Sequence, residues 1–210
     1  MATKEADSVE LRVKLFKKTV FDICPDYVVN EKNRDLLNDI FKYCNFMDGK
    51  YNSMKGLWLW GSIGTGKSTL LNIVSTYMKR QYPMPMIKSY HNEPYSGGFK
   101  IYNCTKVAND YGKSAKEGSQ GLDPYLNKIE IGFDELGREP IPVKSYGTEM
   151  NVMQYIFQTR YENYRLARTH VTTNLDPDSI GDLDLYGPYI SDRVKEMFNI
   201  INMNGKSFRK

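Results

Sequence analysis

Eight consecutive residues, Gly61-Ser62-Ile63-Gly64-Thr65-Gly66-Lys67-Ser68, satisfy the pattern G-x-x-x-x-G-K-[ST] in full. The chemistry served by that spacing is polyphosphate binding. Glycines let the backbone wrap round a phosphate so that successive N–H groups point inward, at the positive end of the helix that follows. In that arrangement Lys67 reaches the β- and γ-phosphates and the Ser68 hydroxyl coordinates Mg²⁺. Thr69 completes the expected nucleotide-binding set, Gly61 to Thr69.

A second cluster, Ile129-Glu130-Ile131-Gly132-Phe133-Asp134-Glu135, is a largely apolar run ending in two acids. Asp134 is suited to hold Mg²⁺ through water, and Glu135 to act as general base on the water attacking the γ-phosphate. Alone, such a strand end reads as a solvent-facing acid pair. The glycine loop in the same chain favours the catalytic reading. A third stretch, Thr172-Thr173-Asn174, puts an amide where it can orient both the water and the γ-phosphate. Standing alone, Asn174 would be a turn cap before Asp176-Pro177.

These groups need a scaffold. Gly56-Leu57-Trp58-Leu59-Trp60 reads as a buried strand, the central one of a parallel sheet, and Leu70, Leu71, Val74, Tyr77 and Met78 follow at helical spacing until Pro83. A strand before the glycine loop and a helix after it form the context the motif requires. Strands are also expected at Phe99 to Tyr102, Ile129 to Phe133 and His170 to Thr173. Helices are expected at Val9 to Lys18, Asn33 to Phe46 (with Asn30 or Asn33 as cap), Thr148 to Arg165 and Ser191 to Phe198. The Pro- and Gly-rich stretch QYPMPMIKSYHNEPYSGGF reads as a loop. Strands alternating with helices predict an α/β three-layer fold with a mainly parallel sheet.

The series GSIGTGKS, IEIGFDELG, Tyr146-Gly147 through Arg160-Tyr161, THVTTNL, YGPYISDRVKEMF and a terminal GKSFR resembles the DnaC/IstB-like AAA+ ATPases. These are bacterial and phage helicase loaders and transposition helper ATPases. The resemblance runs from about Asn33 to the C-terminus in matching order. It implies a P-loop AAA+ core over 31–210 after a short extension over 1–30, with no separate C-terminal lid domain. It further implies ATP with Mg²⁺ and self-association into an open ring or spiral. By resemblance Lys67 and Ser68 are the Walker A pair, Asp134 and Glu135 the Walker B pair, and Asn174 the first sensor. Arg193, in ISDRV, matches an arginine finger serving a neighbouring subunit, and Arg209 matches the second sensor.

The implied function is an ATP-hydrolysing replication protein that loads a replicative helicase on single-stranded DNA. A transposition helper acting with a transposase on double-stranded DNA is the alternative. With only about thirty residues before the core, the grip on a helicase would fall to the Val9–Lys18 helix. A small-molecule kinase would need an arginine-bearing lid and an acceptor pocket, and a non-hydrolysing adaptor would ignore the loss of Glu135. For DNA, Lys106, Tyr111, Lys113 and Lys116 form one basic and aromatic group, and Tyr161, Tyr164, Arg165 and Arg168 another.

Composition sets the outer bounds. The 210 residues are 40% apolar and 26% charged, which is globular usage and argues against a disordered or low-complexity chain. A net charge of +4 permits nucleic-acid contact without demonstrating it. Three well-separated cysteines and two histidines argue against a disulfide framework or a zinc site, and predict buried free thiols. No apolar run is long enough to span a membrane and no secretory-type stretch opens the sequence, so a cytoplasmic protein is expected.

Overall fold

The computed structural model describes residues 2–82, 87–88, 94–95, 97–113, 121–145, 147–165, 167–182, 184–205 and 207. The chain divides into two compact units, Met1–Ser53 with Thr69–Phe99, and Met54–Ser68 with Lys100–Lys210.

The first unit is mainly helical. It holds α1 (Ala2–Ile23), α2 (Glu31–Cys44) and, from Thr69 on, α3 (Lys67–Gln81). Asn30 caps α2 by accepting the Asn33 N–H at 3.3 Å, while the Asn33 side chain accepts the Asn30 N–H at 2.9 Å. Two free backbone donors are thereby satisfied reciprocally, in the manner of a capping box. Phe16 of α1 packs edge-on against Phe41 of α2 and Tyr77 of α3, with ring centroids 5.6 and 5.0 Å apart. Arg80 ties α3 back to α1 through Asp22 at 2.6 Å. The Val9–Lys18 helix is therefore longer than its apolar spacing shows and is packed along one face, while Leu11 and Phe21 stay exposed. The 81–99 stretch, read as loop, contains β2 (Ile87–Lys88) and β3 (Pro94–Tyr95), a short antiparallel pair.

The second unit is built on a sheet. Strands β1 (Gly56–Trp60), β4 (Lys100–Asn103), β5 (Glu130–Leu136), β8 (Arg168–Thr173) and β9 (Phe198–Asn202) lie in the order β4-β5-β8-β1-β9, every pair parallel. The α/β class with a parallel sheet is borne out. The central strand, however, is β8 rather than β1, because β5 and β4 lie on one side of β8 and β1 and β9 on the other. Strand β9 escapes the sequence reading because it follows a helix directly and, as an edge strand, buries only Phe198 and Ile201.

Helices α4 (Cys104–Lys113), α5 (Asp123–Leu126), α6 (Val152–Tyr161) and α7 (Pro188–Met197) accompany the sheet, with β6 (Val143–Ser145) and β7 (Thr148–Met150) forming a hairpin. The expected Thr148–Arg165 helix thus starts late. Asn151 is its cap, accepting the Gln154 N–H at 3.1 Å, and the residues before it are extended. Trp58 centres the core against Phe157 and Phe198. Its indole N–H has no acceptor among the described residues, a cost of about 1–3 kcal/mol that burial of the ring offsets. Gly56 opens β1 pressed against β8, where a Cβ would lie 1.6 Å from the Thr169 carbonyl oxygen. Cys44 and Cys104 are buried free thiols as expected, whereas Cys24 is only half-buried.

Candidate nucleotide site

Because β1, β4, β5 and β8 run parallel, their C-terminal tips share one edge of the sheet. That edge is where α/β folds hold ligands. The glycine loop follows β1, Asn103 ends β4, Asp134 and Glu135 lie near the end of β5, and Asn174 follows β8.

In the loop, Gly64 and Gly66 adopt φ of 80° and 86°, which residues with a Cβ rarely do. Thr65 is buried, its hydroxyl donating to the Ser62 carbonyl at 2.9 Å, while Ile63 points outward at 57% exposure. The Ser62 N–H donates to the Asn204 side chain at 2.9 Å. Lys67 is buried, and its ammonium donates to the Gly61 and Ser62 carbonyls at 2.8 and 2.6 Å. Thr69 is half-buried on α3.

Ser68 Oγ donates to Asp134 Oδ1 at 2.7 Å, so residues 66 positions apart meet at one point. The Thr172 hydroxyl donates to the same carboxylate oxygen. It also accepts the Glu135 N–H at 3.0 Å. This double role follows from the strand register. Phe133 pairs with Val171, but Leu136 pairs with Thr173, so Asp134 and Glu135 together oppose Thr172 alone. The extra residue is a β-bulge, and bulges re-aim side chains at the ends of strands. Glu135 takes the strain at φ 62°, a left-handed conformation costing a non-glycine residue about 1–3 kcal/mol.

Both oxygens of Glu135 are engaged. Asn103 Nδ2 donates to one at 3.0 Å and Arg138 Nη1 to the other at 2.7 Å. The pair with Arg138 is solvent-accessible, at 45% and 33% side-chain exposure, and is therefore weak and exchangeable. Thr173 pairs with both Trp60 and Leu136, so the exposed Asn174 lies at the sheet edge between the glycine loop and the acid pair.

The structure thus brings together Lys67, Ser68, Asp134, Glu135 and Asn174 on one edge. Arg193 is on α7, over the Tyr161 ring at 4.3 Å from its centroid. Arg209 lies outside the described residues, as does Lys116. Two of the basic and aromatic DNA candidates are corrected: Tyr111 is buried on the inner face of α4, and Arg168 is buried and paired with Glu130 at 2.9 Å. Lys106 is paired with Asp110 at 2.5 Å. The sequence reading missed the parts played by Thr172, Asn103, Arg138 and Asn204. A hydroxyl or amide at a strand's C-terminal end was the available signal for the first two.

No protein-family model matches the sequence, and no curated protein matches it. Solved structures do match in three dimensions. The DnaC helicase loader superposes with a TM-score of 0.60 at 20% identity, covering 86% of this chain and 94% of that one. DnaI superposes with a TM-score of 0.60 at 21% identity over 88% of this chain and 89% of that one. The replication initiator DnaA, bound to AMPPCP and single-stranded DNA, superposes at 0.57 and 14% identity over 87% of this chain and 49% of that one. At these identities it is the fold that is shared. A parallel five-stranded sheet with flanking helices, carrying a glycine loop and an acid pair on one edge, gives this chain the AAA+ P-loop NTPase fold.

Proposed function

We propose that this chain binds and hydrolyses ATP with Mg²⁺ and uses that cycle to load a replicative helicase on single-stranded DNA, as a self-associating AAA+ protein. The observation that carries the reading is the meeting of Ser68 and Asp134 at 2.7 Å beside the glycine loop. A hydroxyl and a carboxylate offer the hard oxygen donors that suit Mg²⁺, directly or through water. Bound there, the ion would neutralise charge on the β- and γ-phosphate oxygens.

The chain's own groups supply the rest. Loop N–H groups cradle the phosphates, and Lys67 exchanges its two carbonyl partners for phosphate oxygens. Glu135 accepts a proton from the attacking water once one of its present partners yields, and Asn174 orients that water from the neighbouring strand tip. Arg193, on α7 over the Tyr161 ring, serves another copy's γ-phosphate, so turnover depends on assembly. The helicase and DNA readings draw support from the fold neighbours, one a helicase loader and one holding AMPPCP and single-stranded DNA.

The test has two parts. Lys67→Ala should abolish binding of a fluorescent ATP analogue that the unaltered chain binds. Capture of a replicative helicase from the same source, dependent on ATP and lost on deleting residues 1–20, supports the loader. Capture of a transposase instead supports the helper.

A further inference from the structure

We infer that Tyr161 is the positioning residue for Arg193, holding its guanidinium extended while leaving its hydrogen-bond donors unspent. The inference rests on the proposed role of Arg193 toward a neighbouring copy.

Arg193 and Tyr161 are half-buried at the rim of an open cleft of about 830 Å³, on α7 and at the end of α6. The guanidinium carbon lies 4.3 Å from the Tyr161 ring centroid, well within cation–π range. Among the described residues Arg193 makes no hydrogen bond or ion pair, so the ring is its one partner. The kind of partner matters. A carboxylate would consume the planar fork and cancel its charge, whereas an aromatic face attracts the cation and leaves five N–H donors outward. Tyr161 is itself held. It stacks on Tyr164 with centroids 5.2 Å apart and planes 7° from parallel.

Tyr161 also removes a competitor. Its hydroxyl donates to Glu196 Oε2 at 2.8 Å. Glu196 lies three residues beyond Arg193 on α7, the spacing at which helical side chains pair. With Glu196 engaged by the phenol, the acid at pairing spacing from Arg193 is occupied, and Asp192, adjacent in sequence, does not share its face of the helix. A long, flexible side chain is thus ordered before a phosphate arrives, and the ordering cost is not charged to the encounter.

Subunit mixing with Mg²⁺-ATP and single-stranded DNA tests this. Arg193→Ala keeps its own phosphate loop but lacks the arginine, and Lys67→Ala keeps the arginine but lacks the loop. Each alone should be inactive, and the mixture should recover turnover. Tyr161→Leu placed in the Lys67→Ala partner should cut that recovery about two- to five-fold, the worth of an exposed cation–π contact. Placed in the Arg193→Ala partner it should change nothing, which a general structural defect could not imitate. Tyr161→Phe keeps the ring but frees Glu196, so adding Glu196→Gln should bring recovery back to the starting level. Equal loss with Tyr161→Leu in either partner, or no loss in the first, overturns the inference and leaves the reading of Arg193 standing. No recovery on mixing overturns that reading, and the inference with it.

Discussion

The two ends of β5 carry the same kinds of charged residue and treat them in opposite ways. At its start, Glu130 has no exposed side-chain surface and accepts from Arg168 and His170, each at 2.9 Å. His170 Nδ1 accepts the Leu57 N–H, which leaves the proton on Nε2, facing Glu130. Arg160 closes the network by donating to Thr169 Oγ1 and to the Leu126, Lys128 and Arg168 carbonyls. Each of these partners is internal. Near the other end, Glu135 is strained, one-third exposed and held by partners that solvent can reach. A buried, fully satisfied network has no valence to offer a ligand, and it specifies the sheet's geometry. A strained, half-exposed one can change partners cheaply, and that is where chemistry can enter.

Substitutions at the two ends should separate rate from stability. Glu135→Gln should lower ATP turnover by about 10²- to 10⁴-fold while ATP affinity and urea stability hold; an unchanged rate would overturn the role proposed for Glu135. Glu130→Ala should cost about 3–5 kcal/mol in urea unfolding, because it strands buried Arg168 and His170. Thr172→Val should cost about 1–2 kcal/mol by unpairing the Glu135 N–H in the bulge, and should lower turnover as well, as it touches both acids. Arg138→Ala should shift stability by less than about 1 kcal/mol, since its ion pair is exposed, and should be visible chiefly in rate.

A pH titration sharpens the same contrast. Burial would raise the Glu130 carboxyl, but Arg168 and His170 outweigh it and hold it below its ordinary value. Burial dominates at His170 and holds it below its ordinary value despite Glu130. Both folded values lie below the unfolded ones, so the unfolded chain takes up protons first as the solution is acidified. The His170 share of stability is complete above about pH 6.5 and falls away as pH drops toward its folded value. The Glu130 share is complete above about pH 4.3 and goes lower still. Melting temperature should therefore decline from pH 6.5 to 5, and His170→Gln should flatten that decline.

The sheet edge that carries the proposed nucleotide site was largely legible in sequence because polyphosphate binding demands fixed residue types at fixed spacing. Lys67, Ser68, Asp134 and Glu135 could be named from pattern alone, and their convergence follows from parallel strands. Thr172 could not be assigned its role, since a threonine in a strand is ordinary until the bulge puts it opposite two acids. Nor could the buried end. Glu130, Arg168 and His170 are far apart or unremarkable in sequence, and only strand pairing brings them together. Helix starts were misjudged where a cap decides them, as at Asn151, and β9 was lost because Phe198 continues the apolar face of α7.

Gly56 carries a consequence for how this sequence can drift. Any replacement with a side chain would drive an atom to 1.6 Å from the Thr169 carbonyl, so β1 would have to part from β8. Those two strands bear the glycine loop and Asn174 at their tips, and the gap would reach the proposed nucleotide site as a misalignment of parts that are individually intact. A substitution one strand-length away from the chemistry, in a residue with no functional group, would then pass in a screen for inactivating changes as though it had struck the catalytic machinery itself.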